Sequence, residues 1–288
     1  MPELPEVETI RQDLRAEILG QKISCVKINA SGSVRGQASS FVKLLEGNFF
    51  SDIQRIGKLL IFELGDGKHL LLVHLKMTGQ LILISGKKLI AGGHGETDFS
   101  LNNLPNSHTR VQLTFKNKAQ LFFNDLRRFG YWQIIKHEDL SPITGKFGIE
   151  PLTKNFTFAN FTLALKNKKK SKIKAVLLDQ QKIAGIGNIY ADEILFASGV
   201  KPARLVGSLK PEELKKIFQT TEVIIKKAIK HRGTTFNNYV DASGRKGNFT
   251  KQLKVYGRKG KTCVQCGGLV KKIKLAGRGT HYCEKCQA

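Results

Sequence analysis

The chain has 288 residues, with 48 lysines and arginines against 23 aspartates and glutamates, giving a net charge of +25. This length suggests two domains with a small appendage, and the charge favours a polyanionic partner such as nucleic acid or a membrane surface. No apolar run approaches the length that a membrane-spanning helix needs, and the N-terminus has no apolar signal segment. We therefore expect neither a transmembrane helix nor a signal peptide.

The first half of the chain predicts one helix followed by a β domain. Residues 6–19 carry Val7, Ile10, Leu14 and Ile18 at helical spacing, which indicates an amphipathic helix. Short apolar runs separated by Gly, Asn and Asp then predict strands in an all-β sandwich or barrel. The Gly/Asn/Ser-rich residues 85–106 predict a long loop. The strand-like runs are KISCVKI, FFSDIQRI, KLLIFEL, HLLLVHL, QLILI, VQLTF, AQLFFND and YWQII.

Helical patterns replace the strand-like runs after about residue 135. Residues 136–153 resemble a linker, and residues 234–254 are Gly/Asn/Ser-rich and predict a mobile loop. Pro211, followed by two glutamates, is a favourable helix start. The C-terminal end of the chain forms a separate small module. The helical patterns are FTFANFTLALKN, KIKAVLLDQQ, IYADEILFASG and PEELKKIFQTTEVIIKKAIKH.

Four of the five cysteines form two CxxC pairs near the C-terminus. Cys263, Cys266, Cys283 and Cys286 give the pattern C-x2-C-x16-C-x2-C, which is the spacing of a structural zinc site. The intervening LVKKIKLAGRGTHYC predicts a β-hairpin. Metal-binding thiolates indicate a reducing compartment rather than disulfides. This pattern specifies a metal but no activity, because zinc ribbons serve many functions.

Three further motifs fit nucleic acid but also allow a purely structural interpretation. KNKKKSKIK (residues 166–174) is rich in lysine, and is either a solvated face or a phosphate contact. AGIGNIYADE (residues 184–193) places Asn188 where it can cap a helix whose N-terminus binds phosphate, or forms a plain interhelical turn. DLRRFG (residues 125–130) puts two arginines and an aromatic ring at a strand end, where they suit contact with bases or backbone.

The N-terminus reads MPELPEVETI, and it offers an unusual nucleophile. Removal of Met1 would leave Pro2 with a free secondary amine, and an α-amino group titrates near about pH 8. A secondary amine that attacks a carbonyl-like carbon gives an iminium directly, with Glu3 within reach. The alternative is that Pro2 only stiffens a mobile terminus.

Taken in order, PELPEVET, GKLLIF, HLKMTG, DLRRFG, GIGNIYADE, VYGRKG and the CxxC pairs resemble the formamidopyrimidine-DNA glycosylase family, the bacterial base-excision enzymes for oxidised purines. The resemblance spans the whole chain. It implies an α+β multi-domain fold: an N-terminal β-sandwich with a leading helix (1–135), a linker (136–153), a helix-two-turn-helix domain (154–250) and a zinc-bound β-hairpin (251–288).

The resemblance also implies roles for residues at the catalytic centre. Pro2 matches the nucleophile that attacks C1′ of the damaged nucleotide, and Glu3 matches the acid/base beside it. Lys58 matches a lysine that assists DNA binding and elimination. Arg278 matches an arginine that holds a phosphate and serves in the second elimination, and Glu6 falls where the family keeps another acid near the site.

Further residues match the family's DNA contacts. Met77, Arg127 and Phe129 correspond to the side chains that fill the gap left by the flipped base. The remaining contacts, several of them to phosphates, correspond to His108, Arg127, Lys169, Lys174 and Asn188. Residues 234–254 correspond to the loop that closes over the extruded base.

The implied function is a bifunctional glycosylase and AP lyase in base excision repair, which excises 8-oxoguanine and formamidopyrimidines through a Schiff base and β,δ-elimination. We expect damaged double-stranded DNA as partner, one structural Zn²⁺ per chain, no membrane association, a monomer, and a cytoplasmic, nucleoid-associated location. Three positions depart from the family pattern: Arg110 replaces a second histidine, Lys76 a common glycine or arginine, and Ile56 a frequent arginine.

Two alternatives remain open at this point. An endonuclease VIII-type enzyme would keep the chemistry and prefer oxidised pyrimidines, but its terminus typically lacks the LPEVET continuation. A non-catalytic zinc-ribbon DNA-binding protein would explain the charge and the cysteines, but not Pro2, Glu3 and Lys58.

Overall fold

The computed structural model describes residues 1–93, 103–234 and 248–288. The chain divides into two compact units. The N-terminal unit comprises Met1–Thr144 and His231–Thr250, and the C-terminal unit comprises Gly145–Lys230 and Lys251–Ala288. Among the described residues, no helix has the length and apolar character that crossing a membrane requires.

The N-terminal unit begins with helix α1 (Leu4–Ile18), slightly earlier than the apolar spacing predicts. Pro5 is tolerated in the first turn because its missing N–H has no partner there in any case. Glu3 and Glu6 close this end as a reciprocal capping box. The apolar residues that predicted the helix all lie in the core, as expected for an amphipathic helix.

Ten strands follow among the described residues of this unit, and each of the eight predicted runs forms one. Their bounds are β1 (Ile23–Ile28), β2 (Val34–Arg35), β3 (Phe50–Ile56), β4 (Leu59–Leu64), β5 (His69–His74), β6 (Gly79–Ser85), β7 (Lys88–Gly93), β8 (Thr109–Phe115), β9 (Gln120–Asp125) and β10 (Tyr131–Lys136). They form two five-stranded sheets, ordered β1-β8-β9-β6-β7 and β2-β10-β5-β4-β3. Phe50 and Phe62 of one sheet share a buried cluster with Phe123 of the other, which makes the unit the predicted β-sandwich.

The prediction of one long loop over residues 85–106 is wrong in its first part. Residues Lys88–Gly93 form β7, which pairs antiparallel with β6 at the edge of its sheet. The sequence KLIAGG carries two glycines and no polar alternation, so it gave no strand signal. Residues 94–102 lie outside the described residues. The patterns also missed β2 and a short helix α2 (Ala38–Leu45), which buries Phe41 and Leu45.

The predicted linker contains one short helix, α3 (Leu140–Thr144). The four helical patterns that follow are all confirmed, and Pro211 is the first residue of the last helix. Their bounds are α4 (Phe158–Leu165), α5 (Ile173–Leu178), α6 (Asn188–Ala197) and α7 (Pro211–Lys230).

The C-terminal module contains the predicted hairpin, β11 (Val270–Leu275) paired with β12 (Arg278–Cys283). Ala276 and Gly277 connect the strands with φ of 48° and 72°. Two successive positive φ values give the turn whose twist suits a two-residue hairpin. This turn places Arg278 at the exposed tip of the module.

Candidate active site and nucleic-acid interface

The N-terminus of α1 holds two buried carboxylates. Glu3 and Glu6 are each only 2% exposed, and Pro2 beside them is buried as well. The backbone N–H of Glu3 donates to Oε2 of Glu6 at 2.9 Å. The positive end of the helix dipole favours negative charge at this position. The fold therefore fixes Pro2 and Glu3 in one place rather than leaving them on a mobile terminus.

Glu6 also connects this terminus to a later part of the chain. Its Oε1 accepts hydrogen bonds from the backbone N–H of Thr234 at 2.7 Å and from the Thr234 hydroxyl at 3.1 Å. The preceding Gly233 has φ of +78°, and a Cβ there would lie 2.5 Å from Oε1 of Glu6. Most of the predicted base-covering loop, residues 235–247, lies outside the described residues. Thr234, the first residue of that loop, is described, and it is the residue that bonds Glu6.

Lys58 lies in a turn that is tied to α1. The Lys58 side chain is buried, with 5% exposure, and Gly57 before it has φ of 56°. Arg55 donates through Nη1 to the Gly57 carbonyl at 2.9 Å and through Nε to Oε2 of Glu8 at 3.0 Å. Arg11 also binds Glu8, at 2.7 Å. This chain of charge-assisted hydrogen bonds fixes the turn that carries Lys58 against the helix that carries the terminus.

His74 was missed by the sequence analysis. Burial, together with the charges of Lys76, Lys58 and Arg35, lowers the pKa of His74 to about 3. Its Nδ1 accepts the backbone N–H of Lys76 at 3.0 Å. The imidazole is therefore neutral at pH 7 and lies among cations. The sequence feature that could have identified His74 is its position at the end of a strand whose preceding residues are apolar.

The three side chains predicted to fill the gap in the duplex come together in the structure. Nη1 of Arg127 lies 3.2 Å from the Met77 sulfur, and its guanidinium lies 4.6 Å from the centroid of the Phe129 ring. Phe129 is 52% exposed, Met77 37% and the adjacent Leu126 44%. Exposed apolar side chains around a guanidinium suit insertion between bases. We call Leu126–Gly130 the insertion loop.

Asp125 holds the insertion loop in shape, although the sequence analysis gave this first residue of the DLRRFG motif no role of its own. Its carboxylate is fully buried and accepts from the Thr78 hydroxyl at 2.5 Å and from the Gly130 N–H at 2.7 Å. Two non-glycine residues beside the predicted inserted side chains, Lys76 and Arg128, have φ of 50° and 59°. Such left-handed residues cost roughly 1 kcal/mol each or more, and occur where surrounding contacts impose them. The sequence feature that could have identified Asp125 is its position as an acidic residue at the end of an apolar strand.

The two remaining predicted DNA contacts on turns lie in different units. His108, in the N-terminal unit, donates its backbone N–H to Oδ1 of Asn106 at 2.9 Å, and its carbonyl accepts the N–H of Asp125 at 2.9 Å. Lys169, in the C-terminal unit, is exposed, and its carbonyl accepts the N–H of Gly207 at 2.9 Å. Both backbones are therefore fixed by neighbouring turns.

The structure corrects the surroundings expected for Lys174. The resemblance implied a phosphate contact, but the side chain is 1% exposed and its ammonium lies 2.6 Å from the Asp192 carboxylate. The ammonium also donates to the Thr280 hydroxyl at 2.8 Å and to the Gly279 carbonyl at 3.2 Å. A cation enclosed in this way could reach a phosphate only by leaving a buried carboxylate without its counter-ion. Lys174 is therefore part of an internal network that joins α5, α6 and β12.

Asn188 does not cap its helix, contrary to expectation. Gly187 takes the N-cap position in an extended conformation, and Asn188 is the first residue of α6. Its amide donates instead to the Gly279 carbonyl at 3.0 Å. The hairpin competes for this side chain, because β12 approaches the start of α6.

The four paired cysteines form one cluster. Their sulfur atoms lie within 4.8 Å of one another, with 3.8 Å between Cys263 and Cys286 and 3.5 Å between Cys266 and Cys283. Tetrahedral zinc with Zn–S of about 2.3 Å requires sulfur separations of about 3.8 Å, so the cluster fits one ion. Burial opposes ionisation, but hydrogen bonds from the backbone of Gln265 and Cys266 lower the pKa of Cys263 to about 7.

Comparison with known proteins identifies domains of one family along most of the chain. Three family models match: the formamidopyrimidine-DNA glycosylase N-terminal domain over residues 1–132, its H2TH domain over 147–239, and a zinc finger found in FPG and IleRS over 260–288. The third match makes the cysteine cluster a zinc finger of this type.

Relatives and solved structures give the same result. Formamidopyrimidine-DNA glycosylases of Desulfitobacterium hafniense and Listeria monocytogenes are 39% and 37% identical over the full length of both chains. A solved complex of Lactococcus lactis Fpg with DNA that contains an abasic site has a TM-score of 0.87 and 34% identity, with 99% of each chain covered. A complex of a Lactococcus lactis mutant with Fapy-dG DNA gives 0.87 and 35%, with the same coverage. This chain belongs to the formamidopyrimidine-DNA glycosylase family.

Proposed function

We propose that this protein is a bifunctional DNA glycosylase and AP lyase that removes oxidised purines, 8-oxoguanine and formamidopyrimidines, from duplex DNA in base excision repair. The observation that carries the proposal is the buried terminus. Pro2 and Glu3 are held together at the N-terminus of α1, and Arg55 ties the turn of Lys58 to the same helix. Schiff-base chemistry on a sugar requires an amine nucleophile, which Pro2 supplies once Met1 is removed, and Glu3 and Lys58 are available to assist it.

The chemistry begins when Met1 is removed and Pro2 gains a free amine. Met1 is exposed, so a peptidase can reach it. The amine attacks C1′ of the damaged nucleotide while Glu3 protonates the sugar ring oxygen or the departing base. The bond from C1′ to the base breaks and the base leaves. After the attached amine has lost its proton, the nitrogen lone pair expels the sugar ring oxygen from C1′ and forms an iminium there, which acidifies C2′. Loss of that proton expels the 3′ phosphate, and a second elimination, in which we assign Lys58 and Arg278 supporting roles, expels the 5′ phosphate.

The target nucleotide must first leave the base stack, at a cost of a few kcal/mol. Met77, Arg127 and Phe129 would offset this cost by occupying the vacated space and contacting the opposite strand. Their mutual contacts in the free protein support this role, because a preformed group loses less entropy on insertion. The base-covering function of residues 234–254 and the phosphate contacts of His108, Lys169 and Asn188 belong to the same proposal.

The partner of this site is damaged double-stranded DNA. The net charge of +25 favours phosphate binding through release of counterions. Zinc would act only by fixing the hairpin that presents Arg278, and no reaction step passes through it. We further propose that the chain works as a monomer at the nucleoid, with the sandwich, helical and zinc modules divided near residues 135, 153 and 250.

The test is a set of duplexes that carry one lesion each: 8-oxoguanine, a formamidopyrimidine, an oxidised pyrimidine and an abasic site. Wild-type protein should excise both purine lesions faster than the pyrimidine, and cleave the abasic site. Glu3→Gln should bind DNA normally and lose base excision by about 10²- to 10⁴-fold, since it removes proton transfer. Glu17→Gln removes an acid from the other end of α1 and should leave all rates unchanged.

Two results would reject the proposal. Faster excision of the oxidised pyrimidine would favour an endonuclease VIII-type enzyme. Binding without cleavage of any duplex, by protein shown by intact mass to lack Met1, would favour a DNA-binding protein without catalysis.

A further inference from the structure

Arg110 is a buried arginine that joins two loops of the N-terminal unit. It lies in β8 and is only 5% exposed. Its Nε donates to the carbonyl of Asp125 at 2.8 Å, and its Nη1 donates to the carbonyl of Ser107 at 3.0 Å. One guanidinium thus bonds two main-chain carbonyls that belong to separate turns, one before β8 and one at the end of β9.

These two carbonyls are the points where the predicted DNA-contacting loops begin. Asp125 ends β9 and precedes the insertion loop, and its carboxylate already holds the Gly130 N–H at the loop's other end. Ser107 precedes His108, whose carbonyl accepts the N–H of Asp125 at 2.9 Å. The guanidinium closes a ring of contacts through both loops, so neither loop can move without breaking a charge-assisted hydrogen bond.

The backbone of Arg110 is also fixed by hydrogen bonds. Its carbonyl accepts the N–H of Asn29 at 2.8 Å and that of Ala30 at 3.3 Å, just after β1. The planar guanidinium is a rigid fork, so an arginine fixed at its backbone transmits a fixed geometry to both carbonyls. A lysine offers a single point charge on a flexible stem and could not bond both in the same way.

We propose that Arg110 is a positioning residue that holds the insertion loop and the His108 turn as one preorganised unit. It touches no DNA itself and acts through Arg127 and Phe129. This inference rests on the proposed function, in which these side chains replace an extruded base. A loosened loop would have to order itself during extrusion, and a displacement of about 1 Å at such a site can slow a reaction by up to about 10²-fold.

The experiment compares two substrates in single-turnover kinetics with Arg110→Met and Arg110→Lys. Base excision requires extrusion of a stacked base, whereas cleavage at a preformed abasic site requires less. We expect Arg110→Met to slow excision of the preferred base lesion by about tenfold or more and abasic cleavage by less than about twofold. Arg110→Lys should give the same pattern as Arg110→Met. Arg15→Met, which removes one positive charge from α1 of the same unit, should leave both rates unchanged.

A second comparison separates positioning from general destabilisation. If Arg110 acts through the loop, Arg110→Met should add little to the defect of Phe129→Ala, because the two changes affect one step. Equal losses on both substrates, additive defects, or wild-type rates in Arg110→Lys would overturn the proposal.

Hydrogen exchange tests the same inference without any activity, so it also decides the case in which the proposed function fails. The N–H groups of Arg127 and Gly130 are bonded to Thr78 and Asp125. Peptides that span residues 121–131 should exchange faster in Arg110→Met than in wild type, while peptides from α1 should not change. Unchanged exchange in the insertion loop would show that Arg110 does not hold it.

Discussion

Replacement of Lys174 by methionine should destabilise the C-terminal unit strongly. Lys174 and Asp192 form an ion pair at 2.6 Å, and their side chains are 1% and 0% exposed. The variant removes the cation and leaves the Asp192 carboxylate buried, although the N–H of His281 still donates to it at 2.8 Å. The contacts of the ammonium with Thr280 and Gly279 of the hairpin are lost as well.

The magnitude follows from the burial. Removing one partner of a fully buried pair costs about 3–5 kcal/mol, because the other charge stays in a low-dielectric interior without its counter-ion. The contacts of His281 with the Asp192 carboxylate place the expected cost towards the lower end of this range. That is a large part of the roughly 5–15 kcal/mol that stabilises a typical domain. The double variant Lys174→Met, Asp192→Asn removes both charges and should recover part of the loss. Lys271→Met breaks an exposed pair with Glu284 in the same unit and should leave the unfolding midpoint unchanged.

The assay uses the position of the single tryptophan. Trp132 is fully buried in the N-terminal unit, so its fluorescence during urea unfolding follows that unit. Release of zinc to a chromogenic chelator follows the C-terminal unit. Lys174→Met should release zinc at a clearly lower urea concentration, with little change in the fluorescence midpoint. Unchanged zinc release together with weaker DNA binding would refute the reasoning and restore Lys174 as a phosphate contact.

Four further predictions address the duplex, the metal and pH. Phe129→Ala should slow base excision more than cleavage at a preformed abasic site, and equal losses would indicate misfolding. Cys283→Ser should abolish zinc retention and tight DNA binding while Trp132 fluorescence keeps its wild-type unfolding midpoint, because zinc binding in such modules is folding energy of about 10–16 kcal/mol. Arg278→Ala should keep zinc and reduce the slope of log K against log salt by about one, and an unchanged slope would remove its phosphate role. The pKa of His74 is about 3 in the folded protein and near 6.5 in the unfolded chain, so the neutral imidazole contributes its full stability above pH 6.5 and loses it as pH falls towards 3. In His74→Gln, the urea concentration at the unfolding midpoint should therefore fall less between pH 6.5 and pH 3 than it does in wild type.

Much of the fold could be predicted because strand and helix periods are local. The eight predicted strand runs alternate or are continuously apolar, and each forms a strand. β7 was missed because an edge strand with Gly92 and Gly93 takes its conformation from pairing with β6, not from its own composition. The start of α1 was missed for a related reason, since Glu3 and Glu6 define it through capping.

The residues of the candidate site also fall into those that the sequence could assign and those that it could not. Residues within short motifs, such as Pro2, Lys58 and Phe129, could be assigned by resemblance to a family. The roles of Arg110 and Asp125 could not be assigned, although Asp125 opens the DLRRFG motif, because they depend on contacts between elements. Arg110 bonds the Asp125 carbonyl, and the Asp125 carboxylate accepts a hydrogen bond from the Thr78 hydroxyl.

Lys174 shows most clearly what the sequence could not predict, because it lies in a run of lysines that differ little in their local pattern. The sole local signal was its place within the apolar pattern of IKAVLL, where Ile173, Val176 and Leu177 are buried. Asp192, on the following helix α6, supplies the charge that makes this burial possible.

The central claim is that the amine of Pro2 is the nucleophile, and borohydride trapping tests it most directly. Reduction during reaction with 8-oxoguanine duplex should fix a covalent protein–DNA adduct, and peptide mapping should place it on Pro2 of protein that has lost Met1. Protein that retains Met1 has no free amine at Pro2 and should give no adduct. An adduct on Lys58 or another lysine, or base release with no adduct at all, would contradict the claim.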